Sequence, residues 1–249
     1  MSQSRKLVSA VTCAVVACIA TGAFAQTGEV YSLNVVGFEK VTAPSNGLIM
    51  VSTPFSRSPN TLDDVIGSQL KAGKTDISAD NILTWDQPSQ SYLTYWLNQN
   101  DHKWHALDGS LATNANLTTP MGFWIQSRSG TNEIAVVSGD VVSSSVVTNP
   151  LLVGLNMVSY PFSTTIDINN SALTNGKAGK TDISADNIVM WNSSNQVYIT
   201  FWLNQNDRKW HGLDGSVATN VTVGAGKGFW YQNRNSTLFN WVEAKPYTL

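Results

Sequence analysis

The feature that most constrains this chain is that most of it occurs twice. Gly47-Leu-Ile-Met-Val-Ser-Thr-Pro-Phe55 returns as Gly154-Leu-Asn-Met-Val-Ser-Tyr-Pro-Phe162 with seven of nine residues kept, and Lys71–Ile82 returns unchanged as Lys177–Ile188. Trp96–Asn114 returns at Trp202–Asn220 with 16 of 19 kept, and Gly122-Phe-Trp-Ile-Gln-Ser-Arg128 returns as Gly228-Phe-Trp-Tyr-Gln-Asn-Arg234. The offset is 107 in the first block and 106 afterwards, so the second copy lacks one residue between Phe162 and Lys177. Each copy is long enough to be a domain, and what one folds into the other must also fold into.

Within each copy the pattern is β. Val30–Thr42 and Leu48–Ser52 mix β-branched and aromatic residues, and Asn81–Trp85, Ser91–Leu97, Lys103–Leu107 and Phe123–Ser127 follow. Turn-forming clusters separate these runs, as at Asn98-Gln-Asn-Asp101 and Asp108-Gly-Ser110. Short strands at this spacing predict an all-β fold: two tandem homologous β-sandwich or small-barrel repeats, packed with pseudo-two-fold symmetry. One helix is expected over Leu62–Leu70, capped by Thr61-Leu-Asp-Asp64, and the second copy gives little support for its equivalent. The joint Asp140–Pro150 alternates too regularly for a free linker and is expected to be a strand.

The N-terminus reads as an export signal. Arg5 and Lys6 precede an uncharged run from Leu7 to Thr21, and Ala23-Phe-Ala25 supplies a small-x-small cleavage pattern. The run is too short and too rich in Ala, Ser and Thr for a transmembrane helix. The expected division is a signal peptide at 1–25, a first repeat at 26–140 and a second at 141–249. Cys13 and Cys18 both fall in the signal, so the mature chain is cysteine-free and has no disulfide and no thiolate-held metal. Val15-Val-Ala-Cys18 also loosely fits a lipoprotein box, which would leave Cys18 as a lipid anchor. Without residues 1–25, Lys+Arg falls from 15 to 13 against 17 Asp+Glu, a net charge of −4 with no basic stripe. That balance argues against nucleic acid and anionic membrane as partners.

The two copies differ unevenly. Residues 56–70 bear little resemblance to 163–176, yet the blocks at 71–82 and 96–114 are nearly identical to their counterparts. Core packing explains retained Ile, Leu and Trp. It does not explain Asn98, Gln99, Asn100, Asp101, Lys103, His105 and Asp108, whose types usually lie at the surface. Side chains that close turns are one reading. A duplicated ligand site is the second, and partial gene conversion between the copies is the third. For the ligand site, Trp96, Asn98, Asp101, Trp104 and His105, matched by Trp202, Asn204, Asp207, Trp210 and His211, offer aromatic faces for a sugar ring and polar groups for its hydroxyls. Heavy burial of Trp is the competing expectation.

Other motifs carry less. Gly73-Lys-Thr75 lacks the upstream Gly of a phosphate loop. Asp76, Ser78 and Asp80, repeated as Asp182, Ser184 and Asp186, alternate as calcium ligands do, but the sixth-position Gly and the twelfth-position acid are absent. No other metal or cofactor is indicated. Asp101 and Asp108 form a carboxylate pair kept in both copies that could in principle flank a glycosidic bond, and no nucleophile elbow accompanies them.

Gly154-Leu-Asn-Met-Val-Ser-Tyr-Pro161 and Gly226-Lys-Gly-Phe-Trp230 resemble the G-W-N-L-hydrophobic-S-x-P and P-G-x-G-[FY]-W repeats of an uncharacterised paralogous family of exported proteins from environmental bacteria. Tyr31-Ser-Leu-Asn-Val-Val-Gly37 is also similar to theirs. Leu48 and Leu155 stand where the family has Trp, and Thr119-Pro-Met-Gly122 fits the second motif only in part. The resemblance implies export and β structure and assigns no activity. The expectation is a non-enzymatic periplasmic, cell-surface or extracellular protein. It would bind polysaccharide or other envelope components, or act structurally by self-association; an extracellular glycan hydrolase is the third alternative.

Overall fold

The structure is a computed structural model that describes residues 35–248. The expected signal peptide, Cys13, Cys18 and the Tyr31–Asn34 part of the opening motif lie outside the described residues. The first repeat contains β1 (Val36–Ala43), β2 (Leu48–Ser52), β3 (Phe55–Ser56), α1 (Leu62–Val65), β4 (Asn81–Asp86), β5 (Ser91–Leu97), β6 (Trp104–Ala106), β7 (Gly122–Gln126) and β8 (Glu133–Val141). The second contains β9 (Val146–Leu151), β10 (Gly154–Ser159), β11 (Ile166–Asp167), β12 (Asn187–Asn192), β13 (Val197–Leu203), β14 (Trp210–Gly212), β15 (Thr222–Val223), β16 (Gly228–Asn233) and β17 (Phe239–Ala244).

Each repeat lays a small sheet over a large one. The large sheets run β2-β7-β4-β5-β6 and β10-β16-β12-β13-β14, and the small ones are β1-β8-β3 and β17-β9. All described pairings between these strands are antiparallel, and no sheet closes into a barrel, so the all-β sandwich is the observed architecture. The expected strand across the joint is two strands, β8 and β9, broken between Val141 and Val146. The expected helix is shorter than its apolar spacing suggested. Thr61 and Asp64 form a capping box, but Gly67 takes φ +60° and returns its N–H to Leu62, which ends α1 after one turn. In the second repeat, 3-10 turns at Ile168–Asn170 and Ala172–Asn175 replace it.

Strand alternation generates three apolar cores. Ile49, Val51, Phe123 and Ile125 point toward the small sheet of their own repeat, where Val41, Ala135 and Val137 meet them. Val158, Phe229 and Tyr231 do the same in the second repeat, where Leu151 and Trp241 meet them. The alternate residues Met50, Trp124, Met157 and Trp230 form a core between the two large sheets. Gly122-Phe-Trp-Ile and its copy therefore read as unbroken apolar runs because β7 and β16 are buried on both faces.

The described residues form one compact unit, and the contacts between repeats are reciprocal. The Trp85 indole donates to the Leu155 carbonyl at 2.8 Å, and Trp191 to that of Leu48 at 2.9 Å. Gln90 accepts from the Leu155 amide and donates to its carbonyl, as Gln196 does with Leu48. Each glutamine thus occupies the outer edge of the other repeat's first large-sheet strand. Gly122 and Gly228 sit where a Cβ would meet the backbone of Val158 and Val51 at 2.9 and 2.7 Å, so glycine permits the close approach. This is an isologous interface inside one chain.

Candidate functional site

The retained polar residues close their own turns. Asn98 Oδ1 accepts the Asn100 amide at 2.9 Å, and Asp101 accepts the Lys103 amide at 3.1 Å. His105 places Nε2 2.9 Å from Asp101 and Nδ1 2.8 Å from the Gly109 carbonyl. The second copy repeats this with Asn204 and the Asn206 amide, Asp207 and the Lys209 amide, and His211 between Asp207 and Gly215. Both ring nitrogens face acceptors, an arrangement that suits the doubly protonated imidazolium. The Gly109 carbonyl and then Asp101 raise the His105 pKa. Burial works against His211, but Asp207 and the Gly215 carbonyl outweigh it and raise its pKa too. The His105 bond lowers the Asp101 pKa. Asp108 and Asp214 are held low by the Ser110 and Ser216 hydroxyls and amides that bond to them.

The tryptophans beside them are not aromatic platforms. Trp104 and Trp210 are 1% and 0% exposed, and Trp96 and Trp202 are each 8% exposed. The latter two bond to the carbonyls of Ala106 and Gly212 and lie against His105 and His211. Strand alternation turns Trp104 and Trp210 inward, so the expectation of a sugar face on those two residues is corrected here. The expected calcium ligands are likewise spent internally. Ser78 and Ser184 bond to Thr75 and Thr181. Asp80 accepts the amides of Lys71 and Arg128, and Asp186 those of Lys177 and Arg234. Among the described residues no group of three or more His, Cys, Asp or Glu side chains that could hold a metal ion gathers.

The exposed aromatic surface lies elsewhere, on the pseudo-dyad. Tyr92 and Tyr198 are 44% and 51% exposed and cap the inter-repeat core. Tyr92 meets Trp85 edge-on at 5.0 Å and Trp230 at 6.1 Å; Tyr198 meets Trp191 at 4.8 Å and Trp124 at 6.3 Å. Burial raises the pKa of both hydroxyls. A cleft of about 280 Å³ opens between the two tyrosines over Trp85 and Trp230. Register could have found these residues: Trp85 faces Tyr92, and Trp191 faces Tyr198, across short hairpins.

The rims of this cleft are open sheet edges. β6 pairs only with Tyr95–Leu97, and β14 only with Phe201–Leu203. Ser91–Thr94 and Val197–Thr200 therefore carry no strand on their outer sides among the described residues. Neither segment contains a charge or a proline, and Leu93, Val197 and Ile199 are 46%, 48% and 43% exposed. By contrast, β1 carries Glu39 and Lys40, β9 carries Pro150, and β2 and β10 are covered by the glutamines.

No family model matches the chain, and comparison with curated proteins and with solved structures finds no match. Among the described residues no helix is long and apolar enough to cross a membrane.

Proposed function

We propose that this chain is a non-enzymatic, exported structural component of the envelope or extracellular matrix that assembles with copies of itself. The observation that carries this reading is the pair of uncharged, apolar, unpaired edges at Ser91–Thr94 and Val197–Thr200. An unguarded edge is a template for another strand, and soluble proteins block such edges with charge, proline or cover. Here the edges of β1, β2, β9 and β10 are guarded and these two are not. Tyr92 and Tyr198 on these edges border the cleft over the core between the repeats, and an antiparallel pairing of one such edge with its copy in a second chain is isologous. Two further observations support a structural role. The retained tryptophans serve the cores, and the carboxylates Asp101 and Asp108, considered for hydrolysis, are bonded to His105 and Ser110.

Analytical ultracentrifugation of residues 26–249 tests this. The expected result is reversible, concentration-dependent association. Leu93→Lys combined with Ile199→Lys should abolish it without lowering the melting temperature, since both side chains are exposed. A wild-type chain that stays monomeric throughout the micromolar range, or a double variant that associates as the wild type does, would sink the reading.

A further inference from the structure

The two repeats share a fold but differ beside the joint. A cavity of about 460 Å³ lies there in the first repeat. Its floor is Phe55, and its walls include Arg57, Asn60, Thr118, Asp140 and Ser143. The repeat offset places Tyr160 and Tyr247 at the positions of Thr53 and Val141. Tyr247 packs edge-on against Phe162, the counterpart of Phe55, at 5.9 Å and donates to the Val142 carbonyl. Val141 lines the cavity in the first repeat, and in the second the larger Tyr247 stands at its position against Phe162. The cavity is large enough for a small-molecule site.

The Thr119 hydroxyl on its wall bonds to the Thr53 and Phe55 carbonyls, but other polar groups around it are unspent. In the retained blocks nearly every Asn, Asp and Ser closes a turn. Around this cavity the Asn60 amide, the Thr118 hydroxyl and the Asp140 carboxylate make no side-chain hydrogen bond among the described residues, and Arg57 bonds through Nη1 alone, to Ser138. The wall offers one cation, one anion and several hydroxyls, so donors and acceptors are both available without net charge. Thr118 also lines a second cavity of about 260 Å³ that runs to Trp85, Pro88 and Asn149. Thr118 is common to both walls, so a ligand that spans it would follow a track with Arg57 and Asp140 at one end and Trp85 and Pro88 at the other.

We infer that this track binds an oligosaccharide, with sugar hydroxyls held by Arg57, Asn60, Thr118 and Asp140 and a ring face set against Trp85. An uncharged polyhydroxylated chain is the ligand class that uses balanced donors and acceptors at one end and an apolar plane at the other. The inference goes beyond the self-association reading and uses residues outside the open edges, so either can fail alone.

The test is isothermal titration of residues 26–249 with uncharged hexasaccharides: β-1,4- and β-1,3-linked glucose, α-1,4-linked glucose, β-1,4-linked xylose and β-1,4-linked mannose. At least one should bind saturably. Arg57→Ala and Asp140→Ala should each weaken it by about tenfold, the effect of about 1.4 kcal/mol. Thr118→Trp, which closes the junction between the two cavities, should abolish it. Melting curves confirm that the variants fold; where Thr118→Trp does not, the combined Arg57→Ala and Asp140→Ala variant decides. Absence of saturable binding by every sugar at millimolar concentration would overturn the inference. So would binding that the folded variants leave unchanged.

Discussion

Replacing Asp80 and Asp186 separately by alanine asks whether the same fold position is stabilised differently in the two repeats. Both carboxylates are 0% exposed. Asp80 accepts the Lys71 amide at 3.0 Å and the Arg128 amide at 2.6 Å. Asp186 accepts the Lys177 and Arg234 amides, both at 2.7 Å, and also the Tyr231 hydroxyl at 2.6 Å. The first repeat has Ile125 where Tyr231 stands, so the third donor exists only in the second. Each buried donor stripped of its acceptor costs about 1–3 kcal/mol, which gives at least about 2 kcal/mol for Asp80→Ala and at least about 3 kcal/mol for Asp186→Ala. The excess should reside in the tyrosine. Tyr231→Phe in the Asp186→Ala background should therefore recover about 1 kcal/mol, although the same substitution destabilises the wild type. The assay is urea unfolding followed by tryptophan fluorescence and circular dichroism, read by linear extrapolation. Thermal melts are the check, with about 2–4 °C expected per kcal/mol in a chain of this size. Equal losses for the two alanine variants, or no recovery from Tyr231→Phe, would refute the reasoning.

Two other outcomes follow from differences and likenesses between the copies. Trp104 donates to the Gly67 carbonyl at 2.9 Å, whereas the Trp210 indole N–H is buried without a partner; Trp104→Phe should therefore cost about 1–2 kcal/mol more than Trp210→Phe, measured by the same unfolding curves. The raised pKa values of His105 and His211 contribute stability that is complete below their ordinary value of 6.5 and is lost as pH rises through the folded values. The lowered values of Asp101 and Asp207 contribute stability present above their ordinary 3.8 and lost as pH falls through the folded values. From these groups the melting temperature should be highest between those limits and fall from pH 6 to pH 8, and combining His105→Gln with His211→Gln should flatten the alkaline side.

The duplication, the β character and the turns were legible in the sequence because each rests on local pattern. Repeated blocks declare a repeated fold, alternation declares strands, and Asn-Gln-Asn-Asp or Asp-Gly-Ser declares a turn whose side chains bond to neighbours two to four residues away. The helix was legible only at its start. Thr61 and Asp64 cap it through local bonds, but its length depended on Gly67 taking a left-handed conformation that apolar spacing does not reveal. Which tryptophans face solvent was decided by tertiary structure alone. Trp85, Trp96, Trp104 and Trp124 are alike in sequence terms, yet one sits at a cavity wall, one lies against a histidine, one is in a repeat core and one is in the core between repeats. The difference arises because the large sheets are covered on both faces, a consequence of packing one repeat on the other. The polar cavity was equally invisible, since Arg57, Thr118 and Asp140 come from three separated segments. The repeat alignment does place Tyr247 opposite Val141, but only the packed fold shows Val141 lining a cavity and Tyr247 set against Phe162.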